Sequence, residues 1–525
     1  MKKLRSFLAG SSFEAGSGFL PLYDPSTEEE IAQASSQGAD LGAALEHARR
    51  QGGPALRELT FAQRGELLKA MSKVLRDNRD ELLDISRRCN GTTAGDGAFD
   101  LDGASGTLAF YAGLGRSLGE RTFLAEGEGI PLAKTDAFYG RHLLVPRQGV
   151  AVHVNAFNFP AWGFAEKAAC AILAGMPVLT KPATATALLA ERCAELILAA
   201  GILPEGAFQL LCGGAGDLLD HLGPQDVLAF TGSADTAQVL RQHPNVLAAG
   251  PRVNIEADSL NAAVLAPDAA PGSQAFDLFV REVVREMTQK AGQKCTATRR
   301  VLVPDEHLEA ATEALRGKLA KIVVGDPADP TVRMGPLATA AQLRDAEAGV
   351  AELLREAELL LGGSRTGGAG APEGKGYFFA PTLLLARDGE APAVHTREVF
   401  GPVATLIPYD GSPAAAGKLV ALAGGTLVTS AYSDDPGFLA AFLRHAGATT
   451  GRLYVGSAAS AEAAVGPGAA LPQTLHGGPG RAGGGEELGG QVGLRLYLQR
   501  LALQGARSQV DPLAGIVASA LAPEA

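Results

Sequence analysis

The chain of 525 residues is 46 % apolar and 20 % charged, and it carries a net charge of −11. These values are typical of a globular protein with two to three domains, and they exclude a disordered or fibrous chain. Lysine and arginine form no block along the sequence, so the positive patch of a nucleic-acid-binding protein is missing. Small molecules are therefore the expected partners, and no nucleic acid is expected.

The five cysteines are odd in number and widely scattered, and none has the spacing of a redox pair or a zinc site. They indicate a reduced, cytoplasmic protein in which we expect no metal centre. The N-terminal stretch MKKLRSFLAGSSF has too short an apolar core for a signal peptide. The longest mostly apolar run, 168–180, is shorter than the roughly 18 residues that cross a bilayer, so we expect no membrane partner.

In chain order, residues 1–145 begin with an extended stretch and continue with two helical patterns, at 39–52 and 60–88. Short apolar runs and helical spacing then alternate from 148 to 258. The strand candidates are 149–154, 177–180, 207–211, 227–230 and 245–249, and the helix candidates are 160–175, 186–200, 214–222 and 233–242. This alternation predicts an α/β fold with a parallel sheet covered by helices on both faces, and with ligands at the C-terminal ends of the strands.

A second α/β region follows, with helical patterns at 274–291 and 305–321 and strand patterns at 299–304 and 403–409. Two glycine-rich segments interrupt it, at 362–376 and 456–490. A long irregular segment inside a compact domain is often functional or disordered. The second segment also contains charged residues.

Short motifs at the ends of the predicted strands contain residues suited to catalysis. Asn158, in NAFNFP, directly follows a strand, where its amide can donate to an oxyanion or can cap a turn or helix. Lys181 ends the next strand and can hold a ribose or phosphate, or lie in solvent. Gly232 and Ser233 lie between a strand and a helix, an arrangement that binds phosphate but is common in every α/β fold.

Two carboxylates and an aromatic residue extend this set. Glu256 lies inside an apolar strand, where burial would raise its pKa towards that of a general base. An ion pair with an arginine is the structural alternative. Glu398 and Phe400, in EVFGP, supply an acceptor and an aromatic face before a turn.

Cys295 lies in QKAGQKCTATRR, where Gly292 suggests that a helix ends just before the thiol. A free cysteine is often a small buried apolar residue. Nearby cations, however, favour the reactive thiolate, and four basic residues lie close in sequence: Lys290, Lys294, Arg299 and Arg300. Together with Asn158 and Glu256, this thiol could attack an aldehyde and form a covalent adduct. The carbon atom of the adduct would then lose hydride to a nicotinamide, and the resulting acyl group would be released to water.

With these motifs the sequence resembles the aldehyde dehydrogenase superfamily over nearly its whole length. FNFP, KP, FTGS, GQKC and EVFGP occur in the order and at the approximate separations of the family. The resemblance implies Cys295 as nucleophile, Glu256 as general base and Asn158 as oxyanion donor. It further implies that Lys167 orders the site or its proton path. The cofactor ribose, phosphates and nicotinamide would be bound by Lys181, Ser233, Glu398 and Phe400.

The same resemblance implies a fold with three parts. A Rossmann-like cofactor-binding domain would comprise 1–123 and 145–258, and an α/β catalytic domain would comprise 259–490. A small β oligomerisation element would comprise 124–144 and 491–525. Within it, 124–144 and 494–503 should form strands that extend a sheet across a homodimer, although 494–503 could equally be an amphipathic helix.

Three departures from the family pattern sharpen the prediction. Thr184 stands where the family commonly has a glutamate that accepts from the ribose 2′-OH, so we expect NADP to be preferred, with NAD possible. EADS at 256–259 and LHGGPGRAGGGEELGG at 475–490 resemble the subgroup that oxidises semialdehydes still attached to coenzyme A. Because the chain ends at 525, we expect the stand-alone type of the aerobic benzoyl-CoA pathway for aromatic (benzoate) degradation, with 3,4-dehydroadipyl-CoA semialdehyde as substrate. Glu487, in the replaced segment, is either a second carboxylate on the proton path or a loop residue in solvent.

Other functions remain open at this stage. The substrate could be a free aliphatic or aromatic aldehyde. The acyl group could also be transferred to free coenzyme A, although the presence of Glu256 favours its transfer to water. A thioester hydrolase or acyltransferase would need a histidine beside Cys295, and His153 is the candidate near the motifs. A non-catalytic nucleotide-binding protein is the remaining alternative.

Overall fold

Two seven-stranded sheets and the helices that cover them make up most of the computed structural model, which describes residues 1–135 and 137–519. Sheet A lies in the N-terminal half of the chain and sheet B in the C-terminal half. In spatial order, the strands of sheet A are Arg252–Glu256, Val227–Thr231, Ala151–Val154, Val178–Lys181, Phe208–Leu210, Ser6–Leu8 and Ser11–Phe13.

The first five strands of sheet A run parallel, and the two N-terminal strands join its edge in antiparallel pairing. The strand order reverses at Ala151–Val154, because the chain proceeds from it to one side and later returns to its other side at Val227–Thr231. Ligands of open α/β sheets bind at such a reversal, outside the carboxyl ends of the strands. The loops at 155–161 and 231–233 lie at this place.

Helices cover sheet A on both faces, which explains why its strands are almost wholly apolar. Their bounds are Leu41–His47, Gly53–Glu58, Phe61–Asp77, Arg79–Asn90, Ala94–Leu118, Trp162–Ala174, Ala187–Ala199, Ala234–Arg241 and Pro244–Ala249. Ala94–Leu118 packs closely on Phe61–Asp77, and a Cβ at Gly115 would lie 2.6 Å from the carbonyl oxygen of Phe61. Small residues are therefore needed where these helices cross.

Sheet B has six parallel strands and one antiparallel edge strand. In spatial order they are Ala357–Leu361, Thr382–Ala386, Val403–Tyr409, Arg300–Pro304, Ala262–Leu265, Thr426–Tyr432 and Thr450–Gly456. The helices of this region are Gln274–Thr288, Leu308–Leu319, Ala340–Leu353, Pro392–Thr396, Pro413–Ala421 and Pro436–Ala446.

Three smaller sheets complete the chain. Sheet C consists of Leu498–Gly505, Tyr139–Pro146 and Leu124–Pro131 in antiparallel order, followed by the helix Arg507–Ser519. A hairpin of Leu475–Gly477 and Glu486–Leu488, which we call the site hairpin, lies within the glycine-rich segment. Near the N-terminus, a three-stranded sheet is formed by Lys2–Lys3, Glu30–Ala34 and Leu20–Tyr23.

Most predicted elements of sheet A are confirmed, but two are wrong. The predicted strand 245–249 is a helix, because Pro244 suits the first helical turn and Gly250 ends the helix in a left-handed conformation; the strand follows at Arg252–Glu256. The predicted helix 214–222 is reduced to the short 3₁₀ turn Leu218–His221.

The predicted helical patterns 60–88 and 274–291 are also interrupted. The first is two helices separated at Asn78, whose side chain donates to the carbonyl oxygen of Val74. The second ends at Thr288, ahead of a tight turn. The strands predicted in 124–144 are present. In 494–503 the strand begins at Leu498, after the 3₁₀ turn Gly490–Leu496, so the alternative of an amphipathic helix over this segment is wrong. No helix among the described residues is long and apolar enough to cross a membrane.

Candidate active site

Two connected spaces lie between sheets A and B, at the strand-order reversal of sheet A. The inner pocket has a volume of about 40 Å³ and is lined by residues that include Lys167 and His476. The outer cavity has a volume of about 580 Å³, within the usual range of ligand pockets. Asn158, Glu256 and Cys295 line both spaces, so the three residues predicted to perform the chemistry lie where the two meet.

Asn158 lies in the loop that joins the strand Ala151–Val154 to the helix Trp162–Ala174. The start of that helix is fixed by the buried carboxylate of Asp100, which accepts from the backbone N–H of Trp162 at 2.8 Å. The loop is held from its other side by the side chain of Asn90, which donates to the carbonyl oxygen of Asn158 at 3.3 Å. The Asn158 side chain is thereby presented to the site from a rigid loop.

Cys295 is positioned by the tight turn that ends the helix Gln274–Thr288. Lys290, Ala291 and Gly292 all adopt left-handed backbone conformations, with φ of 54°, 53° and 68°. A Cβ at Gly292 would lie 2.2 Å from the carbonyl oxygen of Gly401, so only glycine fits there. The side chain of Asn261 then donates to the carbonyl oxygen of Cys295 at 2.7 Å. This turn leaves the thiol partly accessible.

The four basic neighbours of Cys295 do not direct their charges to its thiol, which contradicts the expectation from the sequence. Their side chains are directed to other partners: Lys290 to Asp100 and the ring of Phe159, Lys294 to Glu286 and Gln289, Arg299 to Glu398 and the carbonyl oxygens of Gly292 and Gly401, and Arg300 to His395 and Leu260. Burial, and then the nearby Glu256 carboxylate, raise the pKa of Cys295 well above its usual value.

Glu256 ends its strand inside the site and is 3 % exposed. Its Oε2 lies 3.1 Å from Nε2 of His476, so its partner is a histidine and the alternative of an arginine pair is wrong. The expected rise in the pKa of Glu256 is wrong as well. Burial alone would raise the pKa of Glu256, but His476, with smaller contributions from Lys167 and Cys295, lowers it to about 2. The carboxylate is therefore ionised in this site at neutral pH.

His476 is a site residue that the sequence analysis missed, as is Glu166. It lies on the site hairpin, and its Nε2 is 3.9 Å from Sγ of Cys295 as well as 3.1 Å from Glu256. One side-chain atom from each of Glu256, Cys295 and His476 lies within 4.8 Å of the others, and we call these three residues the inner triad. The only sequence signal was a histidine inside LHGG, at the start of the replaced family segment.

His153, the histidine proposed from the sequence, does not reach the thiol. It is fully buried, and its Nε2 is paired with the hydroxyl of Tyr497 at 3.1 Å. Burial, followed by the charge of Lys167, lowers the pKa of His153 well below its usual value, so this ring is neutral. Its role in the described structure is to pack and to hydrogen-bond in the core.

A second cluster of charged residues lies behind the inner pocket. The Nζ of Lys167 is 3.2 Å from Glu166 and 3.2 Å from Glu487, and the side chain of Asn254 donates to Glu487 at 3.0 Å. Glu487 is 7 % exposed, so the expectation of a loop carboxylate in solvent is wrong. Burial raises the pKa of Glu166 to about 7 against the opposing effect of Lys167. The same carboxylates raise the pKa of Lys167, although burial would lower it.

The predicted cofactor residues surround the outer cavity. Lys181, Gly232, Ser233, Glu398 and Phe400 line it. Ser233 caps the helix Ala234–Arg241 by accepting from the backbone N–H of Thr236. Thr184 lies in the 3₁₀ turn just beyond Lys181, and its hydroxyl donates to the carbonyl oxygen of Gly213 at 3.2 Å. Its side chain is not part of the described lining.

Glu398 and Phe400 are fixed from the opposite side by Arg299. The Nε of Arg299 is 3.6 Å from a Glu398 oxygen, and its guanidinium lies over the Phe400 ring at 5.3 Å. The other oxygen of Glu398 accepts from the backbone N–H of Ser259 at 3.1 Å. Burial raises the pKa of Glu398 to about 7, which Arg299 partly opposes. Arg299 thus organises the cavity wall, and its guanidinium is directed to this wall and not to the thiol.

Comparison with known proteins identifies relatives over nearly the whole chain. The model of the Aldehyde dehydrogenase family matches residues 13–499. A 3,4-dehydroadipyl-CoA semialdehyde dehydrogenase from Aromatoleum evansii is 48 % identical over 479 residues, which covers 91 % of this chain and 93 % of that protein. The succinate-semialdehyde dehydrogenase [NADP(+)] GabD of Escherichia coli K12 is 26 % identical, covering 77 % of this chain and 80 % of its own.

Solved structures show the same fold. An apo betaine aldehyde dehydrogenase mutant from Staphylococcus aureus superimposes with a TM-score of 0.83 at 23 % identity, covering 96 % of this chain and 95 % of its own. A 3,6-anhydro-L-galactose dehydrogenase in complex with NAP gives a TM-score of 0.81 at 23 % identity, covering 96 % of this chain and 100 % of its own. The predicted fold and the family resemblance are thus confirmed.

Proposed function

Because the chain belongs to the aldehyde dehydrogenase family, we propose that it oxidises 3,4-dehydroadipyl-CoA semialdehyde to the corresponding acid, with NADP as the preferred oxidant. The substrate follows from the 48 % identical relative of that name. The chemistry rests on one observation: the thiol of Cys295, the amide of Asn158 and the ionised carboxylate of Glu256 meet where the inner pocket opens into the outer cavity.

The outer cavity has the chemistry needed for a nicotinamide dinucleotide. Lys181 would bind its ribose, the turn at Gly232 and Ser233 would meet its phosphates, and Glu398 and Phe400 would position the nicotinamide. When bound, the cofactor accepts the hydride of the aldehyde. The absence of a carboxylate at Thr184 supports a preference for NADP, because a 2′-phosphate meets no negative charge from that residue.

The residues of the inner pocket account for the acyl transfer. Sγ of Cys295 forms a bond to the aldehyde carbon, and the amide of Asn158 stabilises the oxyanion. After oxidation a thioester joins the acyl group to Cys295. Glu256 then takes a proton from water, whose oxygen displaces the sulfur and releases the acid. Lys167 forms ion pairs with Glu166 and Glu487, which supports a role in ordering the path of a proton released from Glu256.

The test is formation of NADPH from the CoA-linked semialdehyde without added coenzyme A. We expect turnover by the wild type and by Cys193→Ala, which alters a buried cysteine that lines neither the inner pocket nor the outer cavity, and none by Cys295→Ala. Turnover that requires free coenzyme A would indicate an acylating enzyme. If kcat/KM is equal for a simple aldehyde of the same chain length, the enzyme does not recognise the coenzyme A thioester, and that part of the proposed substrate is wrong.

A hydrolase or acyltransferase is the second candidate, because His476 lies 3.9 Å from the thiol. A cysteine and a histidine at this separation can cleave a thioester with no redox cofactor. Release of free coenzyme A from a thioester in the absence of NADP, lost in Cys295→Ala, would favour it. A protein without this release and with aldehyde-dependent NADPH formation is a dehydrogenase.

We also propose a homodimer built through sheet C, with cofactor-binding, catalytic and oligomerisation regions at the boundaries predicted from the sequence. Apolar side chains are exposed along this sheet, namely Ile130, Leu132, Phe138 and Leu501. Such a patch supports an interaction surface. Light scattering that gives the mass of one chain would refute the dimer.

We further propose the cytoplasm as the location of the protein, which its five free cysteines support.

A further inference from the structure

His476 lies between the two groups that must exchange charge during the reaction. Its Nε2 is 3.1 Å from Oε2 of Glu256 and 3.9 Å from Sγ of Cys295. A proton on this atom therefore lies within reach of both the carboxylate and the sulfur. The ring is 4 % exposed and lines the inner pocket.

The site hairpin holds His476 in this place. The strand Leu475–Gly477 pairs with Glu486–Leu488, and His476 lies opposite Glu487. Gly477 has a φ of +138°, and a Cβ there would lie 2.1 Å from the carbonyl oxygen of Gly485. The hairpin must therefore keep glycine beside the histidine, and the close approach of the two backbones fixes the ring in the pocket.

The charges around His476 favour its protonated form. Glu256 faces it from sheet A, and Glu166 and Lys167 face the pocket from the helix Trp162–Ala174. Glu487 lies across the hairpin, and Arg452 approaches from the strand Thr450–Gly456. Burial would lower the pKa of His476, but Glu256 and then Glu166 raise it, against Arg452.

Resting on the proposed dehydrogenase function, we propose that His476 is a catalytic residue. Its imidazolium is the shared counter-ion of Glu256 and Cys295, and it stabilises the negative charge on whichever of the two side chains carries it. This assignment explains how the thiol is activated although the four basic neighbours of Cys295 are directed elsewhere.

The charge passes twice across the inner triad. In the first step the thiol proton moves to the Glu256 carboxylate, and the electron pair left on sulfur is stabilised by His476, which keeps its own proton. That pair forms the C–S bond while the π pair of the aldehyde moves to oxygen. After hydride transfer, Glu256 releases its proton to solvent. Water then forms a C–O bond and gives a proton to Glu256, and the C–S pair returns to the sulfur beside His476.

The test measures alkylation of Cys295 by iodoacetamide in the full chain, followed by mass spectrometry of the Cys295 peptide from pH 6 to 9. In His476→Gln, which keeps an N–H donor but cannot be charged, we expect the rate at pH 7 to fall about tenfold and its rise with pH to move to higher values. His445→Asn, which alters an exposed histidine, should match the wild type. An unchanged rate and pH profile in His476→Gln would overturn the proposal.

A second variant separates loss of charge from loss of folding. In His476→Ala, added imidazole should restore part of the alkylation rate, whereas a histidine needed only for packing gives no rescue and would refute the assignment. Alkylation requires neither aldehyde nor cofactor. If the protein forms no NADPH but shows the expected alkylation behaviour, the dehydrogenase proposal fails and the role of His476 in activating the thiol stands.

Discussion

Replacing Lys167 by methionine is the sharpest test of the charged cluster behind the inner pocket. Lys167 is 2 % exposed and forms 3.2 Å ion pairs with Glu166 and Glu487. Its removal leaves two buried carboxylates facing each other without a cation. Breaking a buried ion pair from one side costs about 3–5 kcal/mol, and we expect Lys167→Met to lower the free energy of unfolding by that amount at pH 8.

The pH dependence of this loss has a definite sign. The pKa of Glu166 is raised to about 7 in the folded chain from the usual 4.5, so its ionisation costs stability as the pH rises from 4.5 to 7. Without Lys167, whose charge opposes this shift, the pKa of Glu166 rises further. We therefore expect the destabilisation by Lys167→Met to be larger at pH 8 than at pH 5.5.

Urea denaturation of wild type and variant at these two pH values measures the effect. Lys69→Met is the matched control, because its ion pair with Glu66 at 3.0 Å lies in solvent and should contribute little. Adding Glu487→Gln to Lys167→Met should recover part of the loss, since one buried charge is removed. A loss no greater than that of Lys69→Met, or one that grows as the pH falls, would refute this account of the cluster.

Three further predictions concern the site. Gly292→Ala should abolish turnover and destabilise the fold, because the left-handed backbone and a 2.2 Å approach leave no room for a Cβ. The control Gly113→Ala, on an open helix surface, should fold at least as well as the wild type. Thermal melting measures stability, and NADPH formation measures turnover. Thr184→Glu should move the ratio of kcat/KM from NADP towards NAD, and an unchanged ratio would contradict the explanation of cofactor preference. Glu487→Gln should lower kcat and shift its pH profile, and an unchanged profile would exclude Glu487 from the proton path.

The parallel strands of sheet A could be predicted because their signal is local. Each buried strand is a short apolar run, and in the covering helices the apolar residues recur with the period of a helix. The error at 245–249 has a local cause as well, since a short apolar run such as 246–249 fits a helix or a strand. Pro244 and Gly250 then decide for the helix, and the strand begins two residues later.

The surroundings of Cys295 could not be predicted, because sequence neighbours do not reveal side-chain directions. Three successive left-handed residues turn the chain just before the thiol and send Lys290 towards Asp100. The family motif did place the thiol correctly in the pocket. The basic side chains near Cys295 in sequence form contacts with other residues, and these contacts are visible only in the folded turn.

His476 escaped the sequence analysis for a different reason. It lies 181 residues from Cys295 and enters the pocket only because the site hairpin pairs it with Glu487. A two-stranded pairing among eleven nearby glycines has no periodic signal. The same pairing buries Glu487, for which the sequence had left solvent and a proton path equally open.

Trapping the acyl group on Cys295 tests the central claim most directly. In Glu256→Gln the thiol must lose its proton to solvent instead, which the loss of the neighbouring carboxylate charge favours. At pH 9 acylation should therefore still occur while the hydrolytic step is slow, so mixing the variant with NADP and the CoA-linked semialdehyde should give a burst of about one NADPH per chain. Mass spectrometry of the quenched protein should then find the acyl group on the peptide that contains Cys295. A burst without an adduct, or an adduct on another residue, would contradict the account.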